Sequence, residues 1–341
     1  MEQERQPKHL TPEPIFELFH GYWGSATLKA VADYDIFTLV AEGKKTVEAI
    51  SGAIGAPLRS TRILLNGLVA LQLLTKTQDE YHLTALADTF LVKGREGYIG
   101  GLSGIFMYPT LWEAMGKLTE AVKTGTTPLT EHAETPSHPF WEFFSTASWP
   151  FAKPGAEAVA EALGIRMGSD KGLRVLDLAC GSGFYGLTLL ERDRRAHLTF
   201  VDWEPVLAVP RERAQELGLA DRVSFRPGGL FEVDYGSGYD VVILSQVYHH
   251  FSLEKAAVLT RKAYQALKPG GKIAIHDFIP DEERAQKPFP LLFAVLMLAW
   301  TPQGDTYTFS EYEALLQQEG FHGIILHEPP ELLSQIIVAE K

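Results

Sequence analysis

The chain has 341 residues, 45% apolar and 22% charged, the balance of a globular protein with room for two cores of ordinary domain size. Its 43 acidic and 31 basic side chains leave a net charge of -12, spread over both halves, which argues against a nucleic-acid partner. One cysteine, Cys180, rules out an internal disulfide framework or a cysteine-based zinc site and suits a reducing, cytoplasmic setting.

The charged opening, MEQERQPKH, has no apolar core and predicts no leader peptide. Ile15, Leu18, Phe19, Tyr22 and Ala26 recur at helical spacing, and Ile36, Phe37, Leu39 and Val40 close the segment before Gly43, predicting one or two long packed helices. From Thr46 the pattern is short helix, turn at 55–57, a helix carrying Leu64, Leu65, Leu68 and Leu71, then extended runs at 73–77 and 81–84. That is the outline of a winged helix. A DNA-reading helix needs cations, and this one offers only Arg59 and Arg62 in an acidic half, so a packing role is expected for residues 1–103. Residues 104–165 form a helical linker rich in aromatics, most of them core and some candidates to wall an apolar ligand pocket.

From residue 174 short apolar runs (174–179, 197–202, 222–226, 239–244, 272–278) alternate with helical stretches such as 253–267, predicting a parallel sheet flanked by helices over 166–341. The stretch FPLLFAVLMLAW is shorter than the ~20 residues a bilayer span needs and is read as a buried helix, so no membrane is expected. Runs at 322–327 and 334–339, joined by a Pro329-Pro330 turn, predict an antiparallel hairpin. In such sheets ligands bind beyond the carboxyl ends of the strands, here 177–183, Asp202-Trp203, 245–250 and His276-Asp277. Ser245 and Gln246 are cofactor candidates by that position.

The first of these strands enters VLDLACGSGFYG, placing Gly181, Gly183 and Gly186 at a strand-to-helix turn, and Asp202 ends the next strand 21 residues after Gly181. Glycines there admit close backbone approach and the acid suits ribose hydroxyls, an arrangement that serves NAD or S-adenosylmethionine. Asp177 separates them, since it would repel a diphosphate and attract an ammonium. At an effective dielectric of ~20 a unit pair about 4 Å apart is worth roughly 4 kcal/mol gross. The alternative for Asp177 is an acid that caps loop amides.

VLDLACGSG, FVDWEP, YDVVILSQVYHHF and LKPGGKIAIHDFIP resemble successive motifs of class I S-adenosylmethionine-dependent methyltransferases. With the helical first half and GDTYTFSEYEALLQQEGF, the chain is similar to the small-molecule O-methyltransferases of plants and bacteria, of caffeate and acetylserotonin type. The resemblance implies a Rossmann-like seven-stranded sheet with a reversed last strand, a winged-helix-like dimerisation domain before it, and a homodimer. It also implies that 177–183 hold the methionine end of the cofactor, Asp202 the ribose, and Trp203 with Gly229, Leu230 and Phe231 the adenine.

Methyl transfer is an in-line displacement at a sulfonium carbon, and a phenol acceptor has to lose its proton. From reference values of about 10 for a phenol and ~6.5 for an imidazole, that transfer is uphill by about 5 kcal/mol, so a positioned histidine makes it concerted with methyl transfer. His249 matches the family's catalytic histidine and His250 follows it, although His-His-Phe also occurs in methyltransferases that need no base. Asp277 is the candidate to orient the base, the family's glutamate falling one position earlier at His276. Three further departures are Gly229, Ser245 and Thr306, where the family carries an acid, a lysine and a second orienting glutamate. No metal spacing is present. The expected activity is O-methylation of a small, aromatic acceptor lying between the loop near 140–151, the His249 region and the apolar helix at 289–300. The alternatives are C- or N-methylation, a non-methylating use of the same cofactor, and a winged-helix ligand-sensing regulator.

Overall fold

A computed structural model describes residues 10–341, so the charged opening read for a leader lies outside the described residues. The chain divides into two compact units, Met1–Met107 and Tyr108–Lys341.

The first unit contains α1 (Glu13–Asp33), α2 (Ile36–Ala41), α3 (Val47–Ile54), α4 (Leu58–Ala70), the antiparallel pair β1 (Leu74–Thr77) and β2 (Glu80–Leu83), α5 (Ala85–Phe90) and α6 (Leu102–Phe106). Thr46 caps α3 by accepting the Ala49 N–H, and Gly55 ends it at φ 66, a left-handed value that costs glycine nothing. Val31, Ile36, Ile50, Leu65, Leu68, Leu74 and Tyr81 form the core, and the Tyr81 hydroxyl reaches Asn66 Oδ1 at 2.7 Å, fastening the ribbon to α4. One expectation fails here. The α1 helix forms, but the stripe predicted to pack is open in the single chain, with Leu18 82% and Phe19 71% exposed, because among the described residues no element of this unit covers that face.

The second unit opens with α7 (Pro109–Gly116), α8 (Leu118–Thr124) and α9 (Pro139–Ala162). The expected loop at 140–151 is therefore the first half of a 24-residue helix. It starts at Pro139, where the missing N–H costs nothing, with His138 Nδ1 accepting the Phe140 N–H, and it runs through Pro150 and Pro154. Packing of its small buried face, Gly155, Ala156, Ala158, Val159 and Ala160, offsets the two hydrogen bonds those prolines forgo.

The alternating region gives β3 (Arg174–Leu178), α10 (Phe184–Arg192), β4 (His197–Asp202), α11 (Glu204–Glu216), β5 (Val223–Pro227), β6 (Tyr239–Ser245), α12 (Leu253–Ala266), β7 (Leu267–Asp277), α13 (Pro288–Trp300), α14 (Phe309–Gln318), β8 (His322–His327) and β9 (Gln335–Glu340). They build a seven-stranded sheet of order β5-β4-β3-β6-β7-β9-β8, parallel from β5 to β7, with β9 running antiparallel between β7 and β8. The predicted hairpin is there and supplies the reversed strand. Both faces of the sheet are covered, one by a core that includes Leu259, Leu315 and Leu316 and the other by one that includes Val159, Leu189 and Leu207. This is why the strands read as unbroken apolar runs. Truncating one such leucine to alanine costs about 2–5 kcal/mol. The α13 helix buries Met297, Ala299 and Trp300 but leaves Leu292 71% exposed, so the expected buried helix is buried on one side only. No helix among the described residues is long and apolar enough to cross a membrane.

Candidate functional site

The carboxyl ends of β3, β4, β5, β6 and β7 bring the sequence candidates to one edge of the sheet. After β3 the backbone turns through left-handed Ala179, Gly181 and Gly183, with φ of 51, 53 and 77. A Cβ on Gly183 would stand 2.5 Å from Pro210 Cβ, and one on Gly186 would stand 2.9 Å from Asp177 Oδ2. Around Gly181, by contrast, a Cβ would meet nothing within 4 Å, which leaves the loop's outer side open to a ligand.

Two acids grip this loop from below. Asp177 Oδ2 accepts the Gly186 N–H at 2.9 Å, while Asp202 accepts Gly181 N–H at 3.0 Å and Trp203 N–H at 2.8 Å. Asp177 therefore does cap a loop amide. Burial nevertheless pushes its carboxyl well above the ordinary range and pushes Asp202 up to about 6. No cationic side chain pairs with either among the described residues. Two desolvated carboxylates beneath a glycine cradle fit a cationic ligand bearing hydroxyls, which agrees with S-adenosylmethionine and not with a dinucleotide. Burial, with Asp202 and Asp177 nearby, also pushes the Cys180 thiol far up, so this cysteine is a packing residue.

At the end of β6, Ser245 is followed by Gln246 in a left-handed conformation (φ 57), its N–H held by His276 O at 2.7 Å, and then by a 3-10 turn, Tyr248–His250. The turn buries His249 against Phe293, with ring centroids 4.8 Å apart, and points its Nδ1 at Asp277 Oδ1, 2.6 Å away. The same oxygen accepts the Phe278 N–H at 2.8 Å, and Oδ2 accepts the Tyr312 hydroxyl at 2.9 Å. Burial alone would raise the Asp277 carboxyl, but His249 and these donors outweigh it and hold it below the ordinary carboxylate value. An ionised Asp277 only accepts, so in the neutral imidazole the proton sits on Nδ1 and the lone pair on Nε2.

His250 has a different setting. It packs edge-on against Trp141 at 5.1 Å and lies near Trp300 at 6.0 Å, its Nδ1 is buried without a partner, and burial, then the neighbouring His249, push its pKa far down. Phe140, Trp141, Phe144 and Trp300 form a continuous aromatic wall beside it, pinned where the Trp141 indole N–H reaches Ala133 O and Thr127 Oγ1 reaches Ala299 O.

His276 points to the opposite face of the sheet from Asp277, as strand alternation requires. There its Nδ1 meets the Tyr185 hydroxyl at 2.9 Å and its Nε2 meets Ser334 Oγ at 2.6 Å, with burial bringing its pKa down to about 4. Thr306 likewise makes no hydrogen bond to Asp277, and its hydroxyl donates to Pro290 O at 3.2 Å. The second group on Asp277 is Tyr312, which sequence reasoning missed. It stands in α14, whose start was legible in TFSE, where Thr308 and Glu311 form a reciprocal capping box.

Trp203 precedes α11 beside Asp202, and the 228–235 segment leaves β5 with the Gly228 N–H on Asp202 O at 2.9 Å, so Gly229, Leu230 and Phe231 come to the same edge. Among the described residues no cluster of histidine, cysteine and acidic side chains could hold a metal ion.

Two family models match, an O-methyltransferase dimerisation domain over residues 16–93 and a methyltransferase domain over residues 169–315. The chain is 30% identical to 3-hydroxy-5-methyl-1-naphthoate 3-O-methyltransferase of Streptomyces sahachiroi over 92% of its own length and 90% of that protein. It is 29% identical to the tetracenomycin polyketide synthesis 8-O-methyl transferase TcmO of Streptomyces glaucescens, covering 91% of each. A crystal structure from Nostoc punctiforme assigned to the O-methyltransferases is 33% identical, with a TM-score of 0.90 over 97% of this chain and 100% of that one.

Proposed function

Because this chain belongs to the S-adenosylmethionine-dependent O-methyltransferases, we propose that its acceptor is a hydroxylated aromatic molecule and that His249 removes the hydroxyl proton as the methyl group arrives. The cofactor supplies an electrophilic methyl carbon on sulfur. The protein aligns the acceptor oxygen with it and takes the proton.

The observation that carries this reading is the buried pair His249 Nδ1 and Asp277 Oδ1 at 2.6 Å. With Nδ1 engaged, Nε2 is the free basic atom. As it gains a proton, the imidazolium forms against an ionised carboxylate held in place by Tyr312 and the Phe278 amide. Such a pair favours a neutral hydroxyl acceptor over an already ionised oxygen, which needs no base. His250, driven neutral inside the aromatic wall, is read as an acceptor contact and not as the base.

On the cofactor side, Asp177 and the Gly181 to Gly183 turn receive the methionine end, with Ser245 and Gln246 beside it. Asp202 takes the ribose hydroxyls, and Trp203 with Gly229, Leu230 and Phe231 lines the adenine. An aromatic acceptor agrees with the rings of α9 and α13 next to His249, with the naphthoate in one relative's name and with the polyketide synthesis in the other's. The open apolar face of α1, in the stretch matching the dimerisation domain, supports a homodimer.

Replacing His249 by alanine tests the base. Turnover of methyl-labelled cofactor with hydroxynaphthoate or anthraquinone phenols should fall at least 100-fold, with cofactor affinity nearly unchanged. Wild-type turnover in that variant would sink the assignment.

A further inference from the structure

The segment that leaves β5 at residues 228–235 turns several backbone carbonyls inward, and one side chain from α12 collects them. Lys262 Nζ donates to Leu230 O at 2.8 Å, Phe231 O at 2.7 Å and Val233 O at 3.0 Å. An ammonium has three protons, and here each finds a carbonyl. The same Nζ lies 4.5 Å from the ring centroid of Tyr235, whose hydroxyl donates to Leu230 O at 2.5 Å. No carboxylate forms an ion pair with Lys262 among the described residues, so its charge is directed at this backbone. Burial pulls its pKa down, opposed by Glu232 and Asp234, as expected for a cation turned inward. Phe231 packs edge-on against Phe251 at 5.0 Å, which anchors the middle of the segment.

A loop of this length usually takes its shape from its own turn residues. This one has such a turn, with Gly229 O accepting the Glu232 and Val233 N–H groups, and is held in addition by a cation from a helix whose buried face, Ala256, Leu259 and Ala263, otherwise serves the sheet. Charge-assisted hydrogen bonds are about twice as strong as neutral ones, so removing the ammonium would free the segment to sample other paths.

We propose that Lys262 is a positioning residue for the adenine end of the cofactor, holding the backbone of Leu230 and Phe231 in place as the fixed wall of that subsite. The proposal rests on the reading that 229–231 face the adenine. Lys262 acts through the backbone, so its loss weakens cofactor binding and leaves the His249 chemistry intact.

The test uses the full chain with Lys262→Met, Lys262→Arg, Tyr235→Phe and Leu230→Ala. Dissociation constants for S-adenosylhomocysteine and adenosine, inhibition by methionine, and kcat at saturating cofactor are measured for each. Lys262→Met should weaken S-adenosylhomocysteine and adenosine about 10-fold each, leave methionine inhibition unchanged and keep kcat within twofold, with Lys262→Arg restoring most of the loss. Tyr235→Phe should give the same adenosine-selective pattern at two- to threefold, which keeps the idea testable if Lys262→Met does not fold. Equal losses for adenosine and methionine, or a kcat that falls with affinity, would show a general structural role and overturn the proposal. If Leu230→Ala weakens adenosine while Lys262→Met and Tyr235→Phe do not, the positioning role fails alone. If Leu230→Ala also binds adenosine as the wild type does, the adenine reading of 229–231 fails and takes the proposal with it.

Discussion

Asp277→Asn changes the charge behind His249 with little change in shape. The amide can keep its oxygen toward His249 Nδ1 and the Phe278 N–H and turn its NH2 toward Tyr312, whose hydroxyl then reverses to accept. The ground-state loss is therefore modest. The larger loss comes as the imidazole gains its proton, when the wild-type carboxylate faces an imidazolium. With charge centres about 4 Å apart and an effective dielectric of ~20, that attraction is about 4 kcal/mol. At 1.36 kcal/mol per decade this predicts a fall in kcat of about 1,000-fold. The assay is single-turnover transfer of labelled methyl at saturating cofactor and acceptor, with calorimetry showing unchanged cofactor affinity and Tyr312→Phe as a milder companion. A kcat within threefold of wild type would refute the argument that Asp277 stabilises a cation on His249.

Four further outcomes follow from the geometry. Asp202 is raised to about 6, and cofactor binding favours the ionised form, so binding releases a proton and affinity should fall as pH drops below about 6; a dissociation constant flat from pH 5 to 7.5 would contradict this. By the same linkage the cofactor-free fold holds that proton better than the unfolded chain does, so its stability should decline as pH rises from about 4 to 6, and saturating cofactor should remove the decline in denaturant titrations. Gly183→Ala places a Cβ 2.5 Å from Pro210 at φ 77 and should cost about 1–3 kcal/mol in urea unfolding while weakening the cofactor; an unchanged midpoint would show that the turn can relax. Phe19→Glu together with Leu18→Glu should yield monomers by light scattering if the open face of α1 is the dimer contact, and a dimer that persists would place the contact elsewhere.

The sheet and the cofactor edge were largely legible because their signals are local. Gly181 and Gly183 take left-handed conformations in one tight turn directly after a strand, and alternating apolar runs report a sheet covered on both faces. The linker was less readable. Pro150 and Pro154 suggest a broken chain, yet α9 continues through both because its small residues pack closely on α10. The α1 stripe has the same limit, since periodicity reveals an apolar face but not what covers it.

The base pair marks the boundary most clearly. From residue types alone, either of two adjacent histidines could have served as the base, with Asp277 the candidate to orient it although the family's glutamate falls at His276. Strand alternation then decided that Asp277 faces His249 while His276 turns to Tyr185 and Ser334. Fold class, cofactor type and the short list of acids and bases could be read from the chain alone, because each depends on backbone conformation and charge within a short span. Which histidine holds a carboxylate, that Tyr312 completes the pair and that Lys262 binds the carbonyls of the segment beside Asp202 became visible in the folded chain. These contacts join residues from 28 to 35 positions apart in sequence. Hydrogen bonds at 2.6 to 2.9 Å are set by how strands and helices pack, and no local pattern encodes that packing.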